Sequence, residues 1–293
     1  MQLKMNIIEI RFLILFSCVF IINLFTSAVI APPKIIFAEK DKELLQEILN
    51  KFSKDSDLPV GDLILKLGND FRGTPYVGKT LDLNAEEDLV INLRELDCTT
   101  FVENCLAIAL TIKSGHPSFN TFAAELEKIR YRKGHLDGYV SRLHYFSEWI
   151  TDNQSKGIVE DISFKIGGLK HPVLLNFMST HPDLYPQLKA NPELIKEIKL
   201  IEYKVSASPF FFIPKEKIDG CESKIFNGDI VALVTKSPGM DVSHVGILFK
   251  KEGRVYLLHA SLSGGKVETS RVPLADYLKG SKNTTGIFVV RAN

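Results

Sequence analysis

The order of the elements constrains this chain more than anything else in it. Five short β-rich runs crowd the last third: "NGDIVALVT", "SHVGILFK", "RVYLLHAS", "KVETSRV" and "TGIFVVR", separated by Gly, Pro and Ser turns. Amphipathic helical stretches come first, at 39–57, 59–70, 98–113 and 119–131, the first with apolar Leu44, Leu45, Ile48, Leu49 and Phe52. Helices followed by strands, rather than alternating with them, spell an α+β layout with an antiparallel sheet. Between these blocks "EDLVINLREL" (87–96) reads as a strand, "GIVEDISFKIGG" as a hairpin, and 171–204 as helix broken by prolines. The stretch "YRKGHLDGYVSRLHYFSEWITDN" mixes Gly, aromatic, Arg and His residues and reads as a site-forming loop.

The N-terminus stands apart. Lys4 and Arg11 precede "FLILFSCVFIINLF", an uncharged, largely apolar run from Phe12 to Phe25, and "TSAVIA" supplies small residues for cleavage. These are the parts of a secretory signal peptide over 1–28, so the chain is expected to be exported, to the periplasm or cell envelope. An uncleaved anchor and a lipoprotein attached through Cys18 are the other readings; the run is short for the ~20 residues of a span, and Phe16 is bulky for a lipobox. A linker over 29–44 and one domain over 45–293 complete the expected organisation. At 293 residues, 45% apolar residues suffice for a packed core. A formal charge of +1 speaks against a nucleic-acid partner.

Export sharpens the cysteine count. Without Cys18 the mature chain holds Cys98, Cys105 and Cys221, an odd set, so at least one thiol is expected to stay free. Cys98 and Cys105 are seven apart, about 10 Å along a helix, too far for a disulfide. In "RELDCTTFVE", Asp97 reads as an N-cap and Cys98 as a first-turn residue, with Phe101, Val102, Cys105, Ile108 and Ala109 on the buried face. Helix N-termini stabilise a thiolate and offer free N–H groups to an oxyanion, so a lowered pKa is expected at Cys98. Cys105 reads as a packing residue.

A nucleophilic thiol needs a base, and the base needs an orienter. His244 opens "SHVGILF" and His259 closes "RVYLLHA", with "KKEG" between the strands. If Lys250 and Gly253 flank a two-residue turn, His244 falls opposite His259 on one face, while a one-residue slip separates them. No zinc-type ligand cluster, nucleophile elbow or Gly-rich phosphate loop occurs, so neither metal nor cofactor is expected.

Cysteine at a helix start, histidine at a strand start and a polar residue on the next strand resemble the papain-like NlpC/P60 cell-wall peptidase fold. Within it, "NLRELDCTTFVE", "RYRKGHLDGYVSRLHYFSEWI", "GDIVALVT…GMDVSHVGILF" and "LLHAS" are similar to the DUF1460 family of N-acetylmuramoyl-L-alanine amidases, from about residue 45 to the C-terminus. The resemblance implies hydrolysis of the amide between N-acetylmuramic acid and L-alanine in peptidoglycan or muropeptide fragments. It implies Cys98 as nucleophile, His244 as base and acid, and His259 as the orienting residue. It also implies Tyr76 in "GTPYVG" beside the oxyanion, and Ser141, Arg142 and His144 in "SRLHY" as substrate contacts. Asp241 and Ser243 are expected to shape the pocket of His244, and Arg142 suits a stem-peptide carboxylate. The alternatives are an endopeptidase cutting D-glutamyl bonds, a non-catalytic peptidoglycan-binding module and a lipid acyltransferase.

Overall fold

The computed structural model describes residues 34–293, and the Phe12–Phe25 run with Cys18 lies outside them. Chain entry is at β1 (Ile35–Ile36), which pairs in parallel with β2 (Leu89–Val90). Helix α1 (Glu39–Lys51) follows at once. The fold therefore starts about ten residues before the expected boundary at 45, and 35–44 is paired and helical rather than linker. Helix α1 stops six residues before the expected 57, because 52–57 close into turns. Of 87–96 only β2 is strand, since Asp41 inside the fold takes the backbone N–H of Leu93 instead.

Helices α2 (Val60–Asp70), α3 (Cys98–Lys113) and α4 (Phe119–Arg130) stack on the sheet. Helix α3 is the centre of the molecule. Ten consecutive residues, Thr100 to Ala109, are buried, so it is covered on all sides rather than on one apolar face. That burial requires an answer for Glu103, and Arg130 of α4 supplies it with a 2.7 Å ion pair while also bonding the Val90 carbonyl at 2.7 Å. Gly68 lets α2 approach closely: a Cβ there would lie 2.9 Å from Leu258 and 3.2 Å from Phe101.

The expected site-forming loop is half helix. Two short turns at 132–134 and 139–141 are followed by α5 (Phe146–Ser155), whose apolar Phe146, Trp149 and Ile150 are all buried. The segment 157–168 is not a hairpin. Strand β3 (Val159–Asp161) pairs with the C-terminal strand, and β4 (Leu169–His171) pairs with β5 (Phe210–Pro214). Between β4 and β5 the prolines divide the segment into α6 (Phe177–Thr180), α7 (Pro186–Ala190) and α8 (Leu194–Ser206). A single turn of helix, α9 (Ile218–Cys221), then leads into the strand-rich third.

Strands β6 (Ile230–Thr235), β7 (Val242–Lys251), β8 (Arg254–Ser261) and β9 (Lys266–Thr269), helix α10 (Leu274–Lys279) and β10 (Thr284–Ala292) complete the chain. Among the described residues eight strands form one antiparallel sheet, in the order β4-β5-β10-β6-β7-β8-β9 with β3 beside β10. Both faces are covered, so the strands read as unbroken apolar runs. Ile230, Ala232, Val245 and Ile247 face the helices; Val231, Leu233, Leu248 and Leu257 form a second core with α9 and α10. The result is a mixed helix-and-sheet fold, with the N-terminus of α3 brought against β7.

Candidate active site

Cys98 begins α3. The Asp97 carboxylate accepts the Thr100 N–H at 2.8 Å, and the Thr100 hydroxyl accepts the Asp97 N–H at 2.9 Å, the reciprocal pattern of a capping box. Cys98, Cys105 and Cys221 are all free thiols; Cys98 is half-buried and the other two are buried. Cys105, fully inside the core, is the packing residue expected.

The electrostatics at Cys98 run against the expectation of a lowered pKa. Burial, followed by the neighbouring Asp97 carboxylate, pushes the thiol up to about 11. The Val245 backbone and the hydroxyl and backbone of Thr99 pull the other way and lose. The cap that ends the helix at Cys98 thus also places a negative charge beside it, offsetting the helix terminus.

Turn chemistry decides how the histidines meet. Lys251 lies opposite Arg254, so the two-residue turn is Glu252–Gly253, both with positive φ (53° and 77°). The expected turn one residue earlier, Lys251–Glu252, does not form; Gly253 takes a left-handed position inside the turn, where it is favoured. The register is shifted by two residues, and a shift of two preserves the face. His259 is therefore the diagonal neighbour of His244 rather than its direct partner. Their rings still touch, His244 Nε2 to His259 Nδ1 at 2.6 Å, in an edge-on arrangement. A bulge helps aim His244: Leu233 pairs with His244 and Val234 with Val242, leaving Ser243 as the extra, exposed residue.

Burial drives His244 down to about 3, with the neighbouring His259 adding to the effect. His259 is also lowered by burial, opposed by Glu268, its partner across β8 and β9. Both rings are neutral near pH 7. His244 lines a cavity of about 210 Å³ together with Cys98, Thr99, Ser243 and Val245. No hydrogen bond joins Cys98 to His244 among the described residues; the sulfur rests against the backbone of Val245, the residue after the histidine.

The remaining expected residues divide. Tyr76 lies by the cysteine: its hydroxyl is pushed up to about 12 by burial, then by Cys98 and Asp97. His144 lines the cavity and donates from Nε2 to the Tyr139 carbonyl at 2.9 Å, which fixes Nδ1 as the acceptor. Burial holds it well below the usual histidine range. Asp241 also lines the cavity, but its two oxygens accept the Ser147 and Val242 N–H groups at 2.6 and 2.8 Å, so it braces the strand start. Two residues are elsewhere. Arg142 is buried and paired with Asp82 at 2.5 Å and Glu87 at 3.4 Å, and it does not line the cavity. Ser141 is buried and closes a turn, donating to the Gly138 carbonyl at 2.7 Å.

Sequence reasoning missed one wall. Phe177, Met178 and Tyr185, from the proline-broken segment 171–204, close the cavity. Tyr145 and Glu202 hold that wall: Tyr145 donates to Glu202 at 2.7 Å, Met178 N–H to the Tyr145 hydroxyl at 3.0 Å, and Ser179 N–H to Glu202 at 3.1 Å. The Gly239 carbonyl, just before His244, accepts from Asn176 and Phe177. Among the described residues no group of three His, Cys, Asp or Glu side chains is placed to hold a metal.

Residues 66–287 match the AmiA-like family, described as N-acetylmuramoyl-L-alanine amidase-like. The chain belongs to this AmiA-like family. Among solved structures, an N-acetylmuramoyl-L-alanine amidase from Bacteroides uniformis is 40% identical and superposes with a TM-score of 0.77, over 80% of this chain and 99% of that one. A Bacteroides fragilis protein described provisionally as a xylanase is 43% identical, with a TM-score of 0.74 over 77% and 99% of the two chains. A Legionella pneumophila protein of the DUF1460 family, 22% identical with a TM-score of 0.68 over 87% and 95%, shares the fold. Among curated proteins none matches. Family and relatives together mark the chain as an amidase-like protein of the peptidoglycan type.

Proposed function

We propose that the protein is an exported cysteine amidase that cleaves the bond between N-acetylmuramic acid and L-alanine in peptidoglycan fragments, on a papain-like NlpC/P60 fold. The observation that carries it is one cavity receiving both the capped Cys98 and a His244 whose far nitrogen is bonded to His259 at 2.6 Å. The order of chemistry follows from the protonation states. Cys98 starts as a neutral thiol and His244 as a neutral imidazole. His244 removes the thiol proton through Nδ1 as the sulfur attacks the lactyl carbonyl, forming the C–S bond. His259, bonded at Nε2, accepts the hydrogen bond of the imidazolium that results and keeps the ring turned toward sulfur.

The oxyanion of the tetrahedral intermediate is met by the unpaired N–H groups of the first turn of α3, with Tyr76 beside them. Its collapse breaks the C–N bond, and the imidazolium gives its proton to the departing L-alanine nitrogen. Water then attacks the thioester, giving its proton to His244; the carboxylic acid leaves and the thiol is restored. The contact between Cys98 and His244 tightens when substrate fills the cavity, as catalytic hydrogen bonds in empty sites commonly do.

A glycosidase reading, suggested by the description of the B. fragilis relative, needs two carboxyl groups facing one bond. The residues lining this cavity include one carboxylate, Asp241, with both oxygens committed to backbone N–H groups. Mass spectrometry of muropeptides after digestion tests the proposal. A peptide with a free N-terminal L-alanine and an intact lactyl sugar supports it; cleavage after D-glutamate would replace it with the endopeptidase reading.

A further inference from the structure

The expected cation for the stem peptide, Arg142, is locked in an ion pair, and the residues lining the Cys98 cavity include no lysine or arginine. An anionic peptide must find its charges elsewhere. Ser243 and His244, which line the Cys98 cavity, also border a second hollow of about 690 Å³ with His259, Ser261, Ser263 and Tyr277. Those same four residues border a third hollow of about 450 Å³, which ends at Lys266, Glu268 and Arg271. Shared walls set the three hollows side by side as a line of depressions, a groove, along β7, β8 and β9.

We propose that this groove is the site of the departing stem peptide, with Lys266 and Arg271 binding a carboxylate about three residues beyond the scissile amide. The inference rests on the amidase reading for its substrate. Distance supports it: two strand spacings of about 4.8 Å separate β7 from β9, roughly 10 Å. An extended peptide advances ~3.3–3.6 Å per residue, so its third residue reaches β9.

Charge supports it as well. Arg132, Arg142 and Arg254 are each paired with carboxylates. Lys266 and Arg271 are exposed and make no ion pair among the described residues. Glu268, between them in sequence, matches a side-chain ammonium, so a diamino acid ending in both ammonium and carboxylate suits the pocket. The acyl side of the bond then falls in the cavity walled by Phe177, Met178 and Tyr185, where an uncharged sugar needs no cation.

The test uses the full protein and its Lys266→Gln/Arg271→Gln double variant, both changes being on the surface. Calorimetry measures binding of the tripeptide L-Ala-γ-D-Glu-diaminopimelate, a product that the amidase does not cut. Hydrolysis is followed in parallel for the muramoyl tripeptide and for muramoyl-L-alanine amide. The expected result is at least tenfold weaker tripeptide binding in the variant. KM for the tripeptide substrate should rise by the same factor with kcat within twofold, and hydrolysis of the short amide should not change. Unchanged tripeptide binding, or equal loss on both substrates, overturns the assignment. If the wild type cuts neither substrate, the amidase reading fails, while the binding comparison still decides the groove.

Discussion

Replacing Asp97 with Asn separates the two things that this residue does. As a cap it accepts the Thr100 N–H at 2.8 Å, and Asn is an equally good cap, so stability should change by less than about 1 kcal/mol. As a charge it ranks second only to burial in holding the Cys98 thiol at about 11. At pH 8 a thiol of that pKa is ~0.1% ionised, against roughly a quarter for an ordinary cysteine near 8.5. Higher intrinsic nucleophilicity, a Brønsted slope of about 0.4–0.5 over ~2.5 units, recovers some 10- to 18-fold of the ~240-fold deficit. Wild-type Cys98 should thus alkylate with iodoacetamide about 15–25 times more slowly than a free thiol. Losing the carboxylate should lower the pKa, and each unit lost raises thiolate about tenfold and speeds alkylation about threefold. Second-order rates at Cys98, read by peptide mass spectrometry, give the answer, with buried Cys105 and Cys221 as slow internal controls. A wild-type Cys98 as reactive as a free thiol at pH 8, or an Asn variant slower than wild type, would refute the reasoning.

Other consequences follow from the same structure. His259→Ala removes the 2.6 Å bond to His244 and should cost about 10²-fold or more in kcat, with His259→Asn recovering part of it in steady-state assays. Glu103→Leu leaves Arg130 charged and buried under α3, at a cost of about 3–5 kcal/mol, whereas adding Arg130→Met should return most of it; calorimetric Tm values show both. Tyr145→Phe removes the bond to Glu202 that ties down the cavity wall and should cost about 1.5–3 kcal/mol, again visible in Tm. Because the folded pKa of His244 is depressed to about 3, the unfolded chain binds more protons between that value and ~6.5. Its contribution therefore erodes stability as pH falls from about 6.5 toward 3 and is absent at pH 7. Urea midpoints at pH 7 and 4.5 should show a smaller acid loss for His244→Asn than for wild type.

The sequence carried the cysteine helix to its first and last residues, because Asp97 is an unambiguous cap and the apolar run behind it has helical length. The histidine pair was legible in its outcome but not in its register. Parity on a strand survives an even slip, so a wrong turn still placed both rings on one face. The ion pairs of Arg142 were not legible, because a motif shows only that a guanidinium is near a site, while its partners Asp82 and Glu87 lie about 60 residues earlier in the chain. The thiol's pKa misled similarly, since helix position is local and desolvation is a property of the whole fold. The wall from 171–204 had a faint signal in its spaced aromatics between prolines, but only tertiary packing brings Phe177 and Tyr185 to the cysteine.

The central claim is that Cys98 attacks a muramoyl amide. Digesting purified muropeptides with wild type and with Cys98→Ala, under conditions where both proteins are shown to be folded, tests it most directly. The account predicts that wild type releases peptides with a free N-terminal L-alanine and that the alanine variant releases none above background. Equal release by the two proteins would contradict it.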